Sequence, residues 1–294
     1  MAFVETLLML SFVVFIFYLI GKKKRGPRNS TNTGPLAIPD QFDTLEQVEH
    51  ALREAGLESS NLILAIDYTK SNLHNGRLSF AGRSLHAMNV QLRGEPLMNP
   101  YQQVMHIIAR TLLPFDDDGL IPAFGFGDQT TRGLSVFPFW PDHRPARGLD
   151  EVLTRYNEIT PHVVLSGPTN FAPAIRQAVQ IVQQSGEYHI LVIIADGEVI
   201  QVQDTQQAIV EASYHPLSIV CVGVGDGPFD LMHTFDDRLP ERQFDNFQFV
   251  NFNHIMSQRS RNPEAEFARC ALQEVPDQFR TIRRLGLLDR TPMR

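Results

Sequence analysis

Four short apolar runs punctuate the chain: Asn61–Ile66 (NLILAI), Ile121–Phe126, His189–Ala195 (HILVIIA) and Leu217–Val224 (LSIVCVGV). Runs this short, without polar alternation, read as strands buried on both faces, the signature of a parallel sheet. Between them the apolar positions fall at helical spacing, over Pro100–Leu113, Leu149–Tyr156, Phe171–Gln184 and Asp204–Tyr214. The third of these places Ala174, Ile175, Ala178, Ile181 and Val182 on one stripe. Upstream, Asp43 and Glu46 open a helix whose stripe is Leu45, Val48, Leu52 and Ala55, and Gly56 stops it. A last helix is expected over Pro263–Leu272. Strand and helix in alternation predict an α/β fold: a doubly wound, mostly parallel sheet with helices on both faces. The tail from Pro276 carries Arg280, Arg283, Arg284, Arg290 and Arg294 without turn or strand signals, and is expected to be loosely ordered.

The N-terminus has a different pattern. Leu7–Ile20 (LLMLSFVVFIFYLI) is almost wholly apolar, and with Ala2–Val4 it approaches the roughly 20 residues a helix needs to span a bilayer. Lys22, Lys23, Lys24 and Arg25 follow at once, and positive charge stays on the cytoplasmic side. A cleaved signal peptide has the reverse order, with its basic residues first. The expectation is a single transmembrane anchor ahead of the α/β domain and a single-pass membrane localisation, with the folded bulk facing the cytosol. The chain then divides into an anchor at 1–21, a basic and Pro/Gly/Ser-rich linker at 22–41, a domain at 42–275 and a basic tail at 276–294.

Composition narrows the function. With 43% hydrophobic and 20% charged residues the chain is an ordinary globular protein. A net charge of −7 with no long basic run in the domain argues against nucleic acid as a partner. Two cysteines, Cys221 and Cys270, exclude a disulfide scaffold and a cysteine-rich zinc module such as a RING. No HExxH or G-x-S-x-G string occurs, so metalloprotease and hydrolase readings have no support.

In an open α/β sheet, ligands bind beyond the carboxyl ends of the strands. The first strand runs into Asp67-Tyr68-Thr69-Lys70-Ser71, the third into Asp196-Gly197, and Ser166-Gly167-Pro168-Thr169-Asn170 precedes the helix at 171. These loops can present Asp67, Thr69, Ser71, Thr169 and Asp196 at one sheet edge. The set is all hard oxygen, which suits Mg²⁺ or Mn²⁺ and not Zn²⁺. Neutral hydroxyls as direct ligands, with the aspartates holding waters, would leave the ion short of negative charge, so an open position would favour a partner's Asp or Glu carboxylate. Each residue also has a plainer reading. Asp67, Thr69 and Ser71 suit caps and turns, Thr169 a helix N-cap, and Asp196-Gly197 a turn. Lys70, inside the motif, either points to solvent or opposes a cation.

Asp67-x-Thr69-x-Ser71, Thr169 and Asp196-Gly197, in this order and on these elements, resemble the metal-ion-dependent adhesion site of von Willebrand A-like domains. The strings AIDYTKSN, LIPAFGFGD, SGPTNFAPAI, YHILVIIADG, HPLSIVCVGVGDGPFD and FDNFQFVNF are similar to the copine-type version, in particular its form in plant-type RING-domain ubiquitin ligases. The resemblance spans residues 42–275. It implies a von Willebrand A-like fold and a metal-dependent interaction module that takes an acidic segment of a protein partner. A role beside ubiquitin-pathway proteins is the alternative, and a structural role that needs no metal is a third. Two departures limit it. No RING ligand set is present, and a hydrophobic stretch stands where copines carry calcium-binding C2 domains.

The remaining motifs read as structure. Gly223-Val224-Gly225-Asp226-Gly227 lacks the full dinucleotide pattern and the P-loop lysine, so its glycines are expected to serve a sharp turn. Gly125-Phe126-Gly127-Asp128 has the same reading. Asp116-Asp117-Asp118-Gly119 lacks EF-hand spacing and reads as an acidic turn. Cys221 is expected to be an inert core residue. Trp140 either covers the sheet or is exposed.

Overall fold

The computed structural model describes residues 42–288, apart from 117, 198, 238, 240 and 241. In chain order the elements are α1 (Leu45–Glu54), β1 (Asn61–Asp67), β2 (Val90–Leu92), β3 (Glu95–Leu97), α2 (Pro100–Leu112), β4 (Leu120–Ile121), β5 (Ala123–Phe126), β6 (Val136–Pro138), β7 (Ala146–Arg147), α3 (Gly148–Ile159), α4 (Ala172–Ser185), β8 (His189–Ala195), α5 (Val202–Ala212), β9 (Leu217–Gly223), α6 (Asp230–Asp237), β10 (Phe247–Asn251), α7 (Phe252–Met256), α8 (Pro263–Leu272) and α9 (Val275–Arg284).

Six strands form one sheet in the order β10-β9-β8-β1-β5-β6, parallel throughout except for the edge strand β6. Every residue of β1, β8 and β9 is buried, because helices cover both faces. Alternate side chains feed two cores. Leu62, Leu64 and Ile66 of β1, with Ile190, Val192 and Ile194 of β8, join the core lined by α1, α2, α3, α8 and α9. Ile63 and Ala65, with Leu191, Ile193 and Ala195, join the core under α4 and α5. The stripe expected on α4 is buried there, with Ile181 at its margin.

The second apolar run is not one strand. Pro122 has no N–H to continue the ladder. The chain therefore divides into β4, which pairs antiparallel with β7, and β5, which pairs with β1 and β6. The tail also departs from expectation. Instead of being loosely ordered, Val275–Arg284 is a helix, with Val275, Phe279 and Ile282 buried and Phe279 packed on Tyr188 at 5.0 Å. Its arginines alternate with those apolar positions at helical spacing, so the charge lies on the outer face.

The expectation of a membrane-spanning helix and a single-pass membrane localisation is corrected. No helix among the described residues is long and apolar enough to cross a membrane. The longest, α4, has 14 residues, against the roughly 20 that a bilayer requires. Residues 1–21, on which that reading rested, lie outside the described residues, as does the linker to residue 41.

Candidate functional site

β1 and β8 are adjacent parallel strands, with Ile66 beside Ile194. Asp67 and the residues after Ala195 therefore leave the sheet at the same edge. The connection after β1 leads to β5 on one side, while β8 lies on the other, so the edge between β1 and β8 is a topological switch point.

Four of the five expected residues form one hydrogen-bonded cluster at this point. Asp67 Oδ1 accepts from the Thr69 amide at 2.7 Å. The Thr69 and Ser71 hydroxyls lie 2.9 Å apart, and Ser71 Oγ donates to Asp196 Oδ1 at 2.9 Å. The loops are braced from behind. Asn72 Nδ2 donates to the Asp67 and Thr69 carbonyls, and Asn75 Nδ2 donates to the Asp196 carbonyl. Thr169 reaches the same edge by its backbone. Ser166 bridges Thr69, the Lys70 amide donates to the Ser166 carbonyl at 2.7 Å, and Ile200, beyond Asp196, donates to the Thr169 carbonyl at 3.0 Å.

Thr69 sits at the N-cap of a short 3₁₀ turn, Lys70–Leu73, but its side chain makes no capping bond. The N-cap position of helix α4 is Phe171, and its first amide, Ala172 N–H, donates to Asn170 Oδ1, so neither role falls to Thr169. The hydroxyls of the motif are thus not explained as caps. Lys70 is exposed, with its neighbours Thr69 and Ser71 in the cluster.

The electrostatics are unbalanced. Asp67 is fully buried, and burial first, then the charge of Asp196, holds its carboxyl well above the ordinary range. Asp196, 1% exposed, is pushed up to about 6 by burial, against the Ser71 hydroxyl, which favours the ionised form. Asp67 Oδ2 and Asp196 Oδ2 are buried and have no hydrogen-bond partner. Among the described residues no Lys, Arg or His pairs with either carboxylate. Buried polar atoms are almost always satisfied, and two neighbouring carboxylates in low dielectric repel. A hard dication resolves both conditions, so the residues present fit one. Among the described residues no group of three His, Cys, Asp or Glu side chains could hold a metal, so a cation here would depend on the hydroxyls.

Two supports go beyond what the sequence pattern assigned, which was a turn for Gly127 and nothing for His86. Gly127 has φ +78°, and a Cβ there would stand 2.4 Å from Thr69 Cγ2. The GFGD string thus lets the β5 loop press against the motif. His86 is buried between Tyr68 and Tyr101, with ring centroids at 4.7 and 4.1 Å. Its Nε2 lies 2.8 Å from the Asp67 carbonyl, which can only accept, so Nε2 carries the proton. Burial depresses its pKa to about 4, so the ring is neutral and Nδ1 accepts from the Tyr156 hydroxyl at 2.7 Å. A lone histidine in a polar loop gives no sequence signal of this role.

The other motifs are structural. Gly225, at φ +84°, lets the chain approach the Asn75 carbonyl, and Asp226 accepts from the Leu78 and Ser79 amides at 2.8 Å. Asp128 is tied by the amides and hydroxyls of Thr130 and Thr131. Asp116 Oδ1 accepts from the Asp118 and Gly119 amides, an acidic turn. Cys221 is 1% exposed in β9, and burial raises its thiol pKa. Trp140 is buried against the core under the Arg144 guanidinium.

Residues 84–291 match the family model described as Copine. The chain is 51% identical over 281 residues to the E3 ubiquitin-protein ligase RGLG3 of Arabidopsis thaliana, covering 90% of this chain and 74% of that protein. It is 50% identical to RGLG4 of the same plant over 88% of this chain and 67% of that protein. Copine family protein 1 of Caenorhabditis elegans is 52% identical over 84% of this chain, which spans 22% of that longer protein. Among solved structures, manganese-loaded Plasmodium vivax TRAP protein aligns with a TM-score of 0.44 at 11% identity, over 68% of this chain and 71% of that one.

Proposed function

This chain belongs to the copine family, and from that premise we propose that its α/β domain is a protein-interaction module that takes acidic partner segments through a divalent cation, Mg²⁺ or Mn²⁺. Asp67, Thr69, Ser71, Thr169 and Asp196 would hold it. The observation that carries this reading is the pair of buried, unpartnered carboxylate oxygens, Asp67 Oδ2 and Asp196 Oδ2, beside hydroxyls at the sheet edge. When bound, the cation supplies positive charge that both carboxylates share and a position for an outside carboxylate.

This chain's own residues do the rest. Asp67 and Asp196 bring the negative charge. Thr69 and Ser71 are held in register by the Asp67 and Asp196 oxygens. Ser71 is exposed while Asp67 and Thr69 are buried, so the cluster is open to a partner on the Ser71 side. With the hydroxyls as direct ligands and the aspartates holding waters, the ion would stay short of direct negative charge, so a carboxylate donor is favoured over a neutral one.

The test is Mn²⁺ binding followed by electron paramagnetic resonance, with pull-down of partner proteins in Mn²⁺ or chelator. Asp67→Ala and Thr169→Ala should each abolish high-affinity Mn²⁺ binding and cation-dependent capture. Retention of Mn²⁺ by both variants, or capture indifferent to chelator, would sink the proposal.

A second reading has its own support, the 51% identity to RGLG3 across 74% of that ligase. On this reading the module recruits proteins for ubiquitination, alone or beside a RING-bearing relative. Competition decides it: this chain should displace the same captured proteins from such a relative. Failure to compete at a tenfold excess removes this reading and leaves the first intact.

A further inference from the structure

Beside the cluster lies an open groove of about 570 Å³, lined by Lys70, Gln129, Arg132, Val164, Ser166 and Pro168, among others. Three loops build it. Gln129 N–H donates to the Val164 carbonyl at 2.9 Å, Lys70 N–H donates to the Ser166 carbonyl, and the Asn170 side-chain Nδ2 donates to the Gly133 carbonyl at 2.9 Å. The groove is therefore framed by the same loops that carry Thr69, Ser71 and Thr169. Its charge runs against that of the molecule: the chain is net −7, yet among the described residues no Asp or Glu lines the groove, while Lys70 and Arg132 do. Both are exposed, and neither forms an ion pair among the described residues. Arg132 Nε is tied back to the Gln129 carbonyl at 3.0 Å, which leaves the terminal guanidinium nitrogens for a ligand. Val164, 58% exposed, and Pro168 supply an apolar wall.

We infer that this groove is a second acid-binding subsite, which makes the module selective for protein segments with two acidic side chains. The inference rests on the cation reading above. The first carboxylate completes the cation site. The second, two to four residues along an extended segment or roughly 7–13 Å away, reaches Lys70 and Arg132. Lys70 lies between the two motif hydroxyls in sequence, so its position in the groove fixes the subsite directly beside the cluster. Its charge, which would oppose a cation if turned inward, is used outward on the partner.

The experiment uses the full chain and two fluorescent peptides, Gly-Asp-Gly-Gly-Glu-Gly and Gly-Asp-Gly-Gly-Gln-Gly, with affinities read by anisotropy in 1 mM Mn²⁺ or in chelator. Two exposed charge pairs predict that the doubly acidic peptide binds about 3- to 10-fold tighter at low salt, with the preference shrinking at high salt. Lys70→Glu with Arg132→Glu should invert the preference, and Lys70→Arg with Arg132→Lys should keep it. Equal affinity of the two peptides for the wild type, a preference that survives charge reversal, or no binding of the doubly acidic peptide to 1 mM overturns the groove. A two-acid preference that persists unchanged in chelator overturns the cation reading instead and leaves the groove standing alone.

Discussion

Replacing Asp196 by Asn should stabilise the metal-free protein at neutral pH while abolishing its response to cations. Asp196 is 1% exposed, and its pKa stands at about 6 against an ordinary 3.8. At 1.36 kcal/mol per pKa unit, ionising it in place costs about 3 kcal/mol at pH 7. Since the folded value is raised, the protonated acid contributes its full stability below the unfolded value. That stability is lost as pH rises to about 6. Asn keeps an oxygen for the Ser71 hydroxyl and removes the charge. In chelator at pH 7.5 the variant should therefore exceed the wild type by up to about 3 kcal/mol, a melting-temperature gain of up to about 10 °C for a domain this size. At pH 4 the two should coincide. A cation at a hundredfold over its Kd raises the wild type by about 2.7 kcal/mol and the variant by nothing, which closes or reverses the gap. Differential scanning calorimetry of the full chain at pH 4, 6 and 7.5, in chelator and in Mn²⁺, reads all of these. A variant less stable than wild type in chelator at pH 7.5, or one that Mn²⁺ stabilises as much as wild type, refutes the reasoning.

Three further outcomes follow from the same geometry. Gly127→Ala places a Cβ against Thr69 at a positive φ, and should lose about 1–3 kcal/mol in urea unfolding together with Mn²⁺ affinity. His86 has a folded pKa near 4, below the 6.5 of a free imidazole, so its contribution is present above 6.5 and lost as pH falls towards 4. His86→Phe, which keeps the stacking but removes both hydrogen bonds, should lose about 2 kcal/mol at pH 7, and its stability should fall less than the wild type's between pH 7 and 4.5. Phe279→Ala in α9, 4% exposed and packed on Tyr188, should cost about 3–4 kcal/mol, whereas a dangling tail predicts almost none.

Much of the architecture was legible because its strands are buried on both faces. NLILAI, HILVIIA and LSIVCVGV have no polar alternation, and a run of that length and chemistry has few other uses. The helices between them declared themselves through one-sided stripes such as Ala174, Ile175, Ala178 and Val182. Strands at the margins were not legible. β6 is three residues long, and β10 (FQFVN) runs directly into helix α7 with no turn residue between them to bound it. The tail was misjudged because its arginines dominate a count of charge, while the helix that buries Val275, Phe279 and Ile282 emerges only when those positions are wrapped at 3.6 residues per turn.

The candidate site divides in the same way. The types and order of Asp67, Thr69, Ser71, Thr169 and Asp196 are properties of the linear chain, and the all-oxygen chemistry follows from them. That Ser71 donates to a carboxylate 125 positions away depends on β1 and β8 lying side by side in register, which is a matter of strand order and not of local pattern. Burial, the two unpartnered oxygens and the neutral His86 beneath Asp67 arise only when distant segments exclude water from one another. The side of the loop on which Lys70 stands is decided by the Ser166 strand-like bridge. Local sequence sets which groups are available; the sheet's connectivity sets which of them share a low-dielectric space, because desolvation and charge proximity depend on three-dimensional neighbours and on nothing nearer in the chain.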